Sequence, residues 1–247
     1  MHWSDEAIIL SARPHGETSA IVELFTRGHG RHLGLVQGGR SRKMRPVLQP
    51  GNEVEATWKA RLAEQLGQLN VEPAKSHAAG VLDRPLALMG LSSLAAMLRL
   101  LPERDPHPGL YEVTLFVLTY LDEDEVWPAV YARWELALLA ELGFALDLTK
   151  CAQTGTTENL VYVSPRSGRA VSAEAGAPYH DKLLRLPPFL RGTGDTTLRP
   201  GDLAAALALT GTFLETRVAE ARHERLPDAR ERLVAALAKQ ASSLTQG

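Results

Sequence analysis

The segment Glu53-Val54-Glu55-Ala56-Thr57-Trp58, opened by the break Pro50-Gly51, alternates strictly, with Val54, Ala56 and Trp58 on one face and Glu53, Glu55 and Thr57 on the other. A period of two belongs to a strand with one face buried and one in water. Four more short runs of similar texture lie at residues 7–12, 20–26, 32–37 and 66–71. Between them stand Pro14-His15-Gly16, Arg27-Gly28-His29-Gly30 and Gly38-Gly39, which is turn chemistry. Five short strands so close together suit a small closed barrel, and the common five-stranded solution is the OB fold.

From Pro85 the texture becomes helical. Leu91, Leu94, Leu98 and Leu101 recur at helical spacing and stop at Pro102, and residues 111–121 form a second apolar run. Pro128 opens a third helix, with Val130, Trp134, Leu138 and Leu142 near one face and Gly143 as its stop. Residues 203–222 and 228–239 read as two closing helices, the second with Asp228 and Glu231 placed as a capping pair, and the tail after Gln240 is expected to fray. The expected fold class is α+β, with an N-terminal five-stranded OB-fold β-barrel over residues 1–79 and an α-helical domain over residues 80–247. Within the latter, residues 150–180 are rich in Gly, Thr, Ser and Ala and read as an irregular module.

With 247 residues, 45% of them hydrophobic, the chain can bury a sizeable core as one large domain or two small ones. No apolar run approaches the roughly 20 residues of a membrane span, and Met1-His2-Trp3-Ser4-Asp5-Glu6 lacks a signal-peptide pattern, so a cytoplasmic location is expected, with no membrane partner. The single cysteine, Cys151, excludes an internal disulfide and reads as a small buried hydrophobe. A net charge of −2 does not announce a nucleic-acid partner, but the distribution says more. No acid occurs between Glu23 and Glu53, whereas Arg27, Arg31, Arg40, Arg42, Lys43 and Arg45 all fall there. Such a local surplus is what a phosphate-binding face needs.

The motifs narrow the chemistry. Gly28-His29-Gly30-Arg31-His32-Leu33 has leucine where a dinucleotide fingerprint needs its last glycine, and it lies between strands, so a tight hairpin carrying Arg27 and Arg31 is the better reading. Gly38-Gly39-Arg40-Ser41-Arg42-Lys43-Met44-Arg45 reads as a solvated loop in isolation. Beside a barrel, whose strand face and loops track nucleic-acid backbones, it reads as a DNA contact, joined by Lys59 and Arg61 after the fourth strand. Trp58 is either core or a stacking platform, and its alternation favours core. His29 and His32 lack further ligands for a metal, and Asp122-Glu123-Asp124-Glu125 suits a helix N-terminus better than acid–base catalysis. Nothing in the chain asks to be an active site, so no catalytic residue, metal or cofactor is expected. A protein-interaction scaffold that does not bind DNA is the alternative.

Three blocks in order resemble the bacterial DNA repair protein RecO family. The first is Ala7-Ile8-Ile9-Leu10, Gly16-Glu17-Thr18-Ser19, Leu24-Phe25-Thr26-Arg27, Gly30-Arg31, Gly38-Gly39-Arg40 and Leu48-Gln49-Pro50-Gly51. The second runs from Trp134-Glu135-Leu136 through Leu139 and Leu142-Gly143-Phe144 to Cys151, and the third is Phe213-Leu214-Glu215 with Arg217 and Arg222. The resemblance implies a zinc-ribbon-like insertion whose four cysteines, in two C-x2-C pairs, match Cys151, Thr154, Ser172 and Ala175 here. Three ligands are missing, so the insertion is expected to be degenerate, cysteine-poor and without zinc, held by packing or by a residual strand at Leu160, Val161, Tyr162 and Val163. The resemblance further implies a nucleoid-associated, non-enzymatic recombination mediator that binds single- and double-stranded DNA and anneals complementary strands. It would help load recombinase on strands coated by single-strand-binding protein, with RecR and, in many bacteria, RecF as partners. Arg99, Arg104, Arg133 and Arg217 are candidate receivers of the acidic tail of single-strand-binding protein, with no spacing to choose among them.

Overall fold

A computed structural model of the chain describes residues 1–62, 64–192 and 197–245. The first strands are β1 (His2–His15), β2 (Ser19–Thr26), β3 (Gly30–Val36), β4 (Glu53–Lys59) and β5 (Gln68–Lys75). They close into a barrel in the order β1-β2-β3-β5-β4. Neighbours are antiparallel except β3 and β5, which meet in parallel at Leu35 and Gln68, where the Leu35 N–H donates to the Gly67 carbonyl at 2.9 Å. As its sequence demands, β4 buries Val54, Ala56 and Trp58 inside the barrel, against Ala7, Ile9, Val22, Leu24 and Leu69. Trp58 is therefore core. Its Nε1 donates to both the Leu33 and Leu66 carbonyls at 3.1 Å, which satisfies the one polar atom it brings inside.

β1 is longer than the run at residues 7–12 because it serves two neighbours in succession. Its first half pairs with β4, from His2 opposite Lys59 to Ile8 opposite Glu53. Its second half pairs with β2 as far as His15 opposite Ser19, past an irregularity between Ile9 and Ser11. Around that junction both faces are covered: Ala7 and Ile9 point into the barrel cluster, and Ile8 and Leu10 are buried as well. That double burial accounts for the unbroken apolar run Ala7-Ile8-Ile9-Leu10.

Helices α1 (Met44–Val47), α2 (His77–Gly80), α3 (Pro85–Leu98), α4 (Pro108–Thr119) and α5 (Trp127–Glu141) follow. α3 and α4 each open on proline, which suits a first turn where the missing N–H has no partner to lose. α3 packs on β1, and Phe25 of β2 meets Tyr111 of α4 with ring centroids 5.7 Å apart. The chain divides into two compact units, Met1–Trp127 with Pro227–Leu233 and Pro128–Leu226 with the stretch from Val234 onward. The division expected at residues 79/80 falls within α2, inside the first unit.

The second unit holds β6 (Leu160–Val163), β7 (Ala170–Ser172), α6 (Ala173–Gly176), β8 (Leu184–Arg185) and α7 (Asp202–Phe213), and α8 (Asp228–Thr245) runs into it. The three strands form a sheet in the order β7-β6-β8, and β6 is the strand expected at those four residues. In place of one helix over residues 203–222, α7 gives way to a π-helical stretch, Leu214–Ala219, and a 3-10 turn, Glu220–Arg222. α8 continues through Thr245, beyond the expected fraying point, in keeping with the helix formers Ala238, Lys239, Gln240 and Ala241. The fold is thus α+β, a five-stranded N-terminal barrel with a largely helical remainder. Among the described residues no helix is long and apolar enough to cross a membrane.

Candidate nucleic-acid interface

The loop between β3 and β4 carries the densest cations, and its backbone is held by hydrogen bonds at several points. The Arg40 N–H donates to the Thr18 carbonyl at 3.0 Å and its guanidinium Nη1 to the Gly16 carbonyl at 2.7 Å, tying the loop to the β1–β2 hairpin. The Ser41 carbonyl accepts from Met44 and Arg45, and the Met44 carbonyl accepts from Leu48, which makes the single turn α1. Buried Asn52 clamps the far end, with Nδ2 donating to the Pro46 carbonyl at 2.8 Å and Oδ1 accepting from the Ala78 N–H at 3.0 Å.

Against this loop lies a groove of about 380 Å³, lined in part by Arg13, Pro14, Arg40, Arg45 and Gln49, with no acid on its wall. Arg42 and Lys43 are exposed on the same loop. Among the described residues none of these five cations forms an ion pair with an acid. Arg40 uses one of its guanidinium N–H groups on Gly16, which leaves most of its donor fork for a phosphate. Arg13 lies just beyond the apolar run at residues 7–12 and outside the cation-rich window that begins at Arg27, so no local pattern marks it. Pairing with β2 carries β1 on to His15 and sets Arg13 opposite Ile21.

Other expected contacts are differently placed. Arg27 makes ion pairs with Glu6 at 2.8 Å and Glu112 at 2.7 Å and lies over the Tyr111 ring. Arg31 turns inward onto buried Glu23 and donates through Nε to the Leu101 carbonyl at 3.0 Å. Its side chain is only 15% exposed. Arg99 closes on the same Glu23 at 2.7 Å. Arg217 donates to the Arg166 carbonyl. Lys59 and Arg61 are exposed at the end of β4 and in the turn after it, and neither lines the groove.

The two histidines belong to a ring column. Trp3 is stacked between His29, at 4.5 Å, and Trp58, at 5.7 Å, and His32 meets both tryptophans edge-on. Asp5 holds the His29 ring at 2.8 Å. Burial, helped by the nearby Arg104 and His29, pulls the His32 pKa below its usual value, against the opposing effect of the His29 backbone and the Asp5 carboxylate. Tyr111 is pushed well above the usual tyrosine value by burial and by Glu53 and Glu6.

Cys151, Thr154 and Ser172 come together in the second unit. Burial pushes the Cys151 thiol up, but hydrogen bonds from the side chains and backbone of Thr154 and Ser172 outweigh it and bring it to about 6. The Ser172 N–H donates to Sγ at 3.3 Å, and the Ser172 hydroxyl accepts from the Ala175 N–H at 3.4 Å. One thiol, two hydroxyls and a methyl are not a zinc donor set, and here the thiol is already an acceptor within the module. Among the described residues no three His, Cys, Asp or Glu side chains gather as a metal shell.

A closed five-stranded barrel followed by a largely helical remainder places the chain in the α+β class. The chain matches the family models for the N-terminal part of recombination protein O over residues 1–77 and for its C-terminal part over residues 83–226. It is 55% identical to DNA repair protein RecO of Methylobacterium nodulans over 240 residues, covering 95% of this chain and 97% of the relative. To the protein of the same name in Methylorubrum populi it is 53% identical over 240 residues, covering 95% and 98%. To that of Beijerinckia indica it is 54% identical over 241 residues, covering 97% and 96%. The chain belongs to the RecO family of DNA repair and recombination proteins.

Proposed function

We propose that the chain is a recombination mediator that binds single- and double-stranded DNA, anneals complementary strands and helps load recombinase onto strands coated by single-strand-binding protein. The observation that carries this reading is the groove of Arg13, Arg40 and Arg45, extended by Arg42 and Lys43, with no acid on its wall. The closed five-stranded order supports an OB fold for residues 1–79, the class of barrel that tracks nucleic-acid backbones. Lys59 and Arg61 form a second basic patch, whereas Arg31 turns into the fold and the exposed Arg27 is held by Glu6 and Glu112. The segment 150–180 is the zinc-ribbon-like module, closed by hydrogen bonds at Cys151. RecR and single-strand-binding protein are the partners, joined by RecF in many bacteria, and the nucleoid is the place of action.

No covalent chemistry is required. Guanidinium and ammonium groups neutralise phosphates and release counterions, which weakens the repulsion between two strands held on one surface. The test is annealing of complementary oligonucleotides coated with the cognate single-strand-binding protein. Wild-type protein is expected to accelerate it, and the Arg40→Ala, Arg42→Ala, Lys43→Ala, Arg45→Ala variant to lose that effect together with binding of bare oligonucleotide. Equal affinity in variant and wild type would remove the groove from the account and leave the scaffold reading.

A further inference from the structure

A second cleft shares a wall with the arginine groove. It measures about 300 Å³ and is lined largely by Pro46, Pro50, Ala79, Leu82, Leu88 and Leu91, in the same compact unit as the barrel. Gln49 and Pro50 line both spaces, and α1 is the ridge between them, with Arg45 on the groove side and Pro46 on the cleft side. Leu82 is 66% exposed, a large apolar side chain left in water next to a basic groove.

We infer that this cleft receives an unpaired nucleobase while the sugar–phosphate backbone runs along Arg13, Arg40 and Arg45. The inference rests on the DNA-binding reading above and deepens it, because it distinguishes single strands from duplex. In a duplex the bases are stacked and paired, so none is free to enter a side cleft. In a single strand every base has a π-face that apolar groups can cover, and the positive groove holds the adjoining phosphates whatever the sequence. The polar groups at the cleft choose a base over an apolar peptide side chain. The Gln49 amide, which lines the cleft, donates from Nε2 to the Arg45 carbonyl at 2.9 Å, which leaves its carbonyl oxygen to accept. Ser92 donates to the Leu88 carbonyl at 2.8 Å and Ser76 to Asn52 Oδ1 at 3.4 Å, so both hydroxyls turn an oxygen lone pair outward. Three acceptors around an apolar floor suit the amino and imino N–H groups of a base edge. A leucine or phenylalanine would leave them without hydrogen bonds.

The experiment compares an unstructured mixed-base oligonucleotide with an abasic oligonucleotide of the same length, which keeps the phosphates and removes the bases, on wild-type protein and on Ala79→Leu. Ala79 is exposed on α2, so the added side chain fills the cleft without entering the core. Expected for wild type is binding of the base-bearing strand at least about fivefold tighter than the abasic strand. In Ala79→Leu that advantage is expected to vanish, with duplex affinity unchanged. Equal binding of the two strands by wild type would overturn the cleft while leaving the arginine groove standing, and failure of the groove itself shows separately as unchanged affinity in the four-cation variant. If Ala79→Leu leaves strand binding intact but abolishes capture of a fluorescent peptide of aspartate and leucine, the occupant is an acidic protein segment and the inference is wrong.

Discussion

His32 shows how one residue couples the barrel to pH. Its ring packs edge-on to Trp3 and Trp58 and its Nδ1 is buried with no hydrogen-bond partner, so the charged form is disfavoured and the pKa lies below 6.5. As pH falls through 6.5 the unfolded chain takes up a proton that the folded chain refuses, and stability falls over the window down to the folded pKa. Above 6.5 both states are neutral at this residue and the contribution is constant. His32→Phe keeps an aromatic ring and removes the titration. It is expected to flatten the acid limb of stability against pH in urea denaturation, and a limb of unchanged steepness would place the titrating group elsewhere. Residue by residue, the candidate site was only partly legible. The cation density at Arg40, Arg42, Lys43 and Arg45 was legible, because a loop's charge is a property of its own sequence, and their role as DNA contacts is the proposal made above. Arg27 and Arg31 belong to the same cation-rich window, but the fold pairs the exposed Arg27 with Glu6 and Glu112 and the largely buried Arg31 with Glu23, acids that arrive from the barrel's first two strands and from α4. A charge count along the chain sees no acid between Glu23 and Glu53, but the fold brings them from outside that window.

At the scale of elements, the strands were legible where one face is buried and one is wet. β4 is the clearest case, and its alternation survives unchanged in the structure. β1 was readable only at its doubly buried centre, because pairing with a different neighbour at each end is a property of barrel closure that local pattern does not carry. The β3–β4 loop depends on Gly51. Its φ of +83 is costly for any residue with a side chain, and a Cβ there would lie 2.1 Å from Leu91 Cδ1 of α3. Gly51→Ala is expected to lose about 2 kcal/mol or more, from left-handed backbone strain plus the displaced leucine. Urea denaturation checks it. A loss under about half a kcal/mol would mean that α3 and the loop shift apart at little cost.

At the scale of the whole molecule, a net charge of −2 sits uneasily with a polyanionic ligand unless positive charge is concentrated and negative charge kept away from it. The fold does both, gathering Arg13, Arg40 and Arg45 around one groove while Arg27 and Arg31 neutralise acids elsewhere in the unit. Ionic strength reads this separation directly. For single-stranded DNA, the log of affinity should fall with the log of salt by about 0.7 for each phosphate neutralised, or about 3.5 if the five cations of the groove and loop each engage one. Arg13→Ala, Arg40→Ala and Arg45→Ala together should make the slope shallower by about 2, whereas Arg27→Ala should leave it unchanged, because that guanidinium already faces two carboxylates. Fluorescence anisotropy over a salt series gives both slopes. If Arg27→Ala flattened the dependence as much as the groove variant, the DNA path would cross the β2–β3 turn, and the two carboxylates would have to give up the arginine on binding.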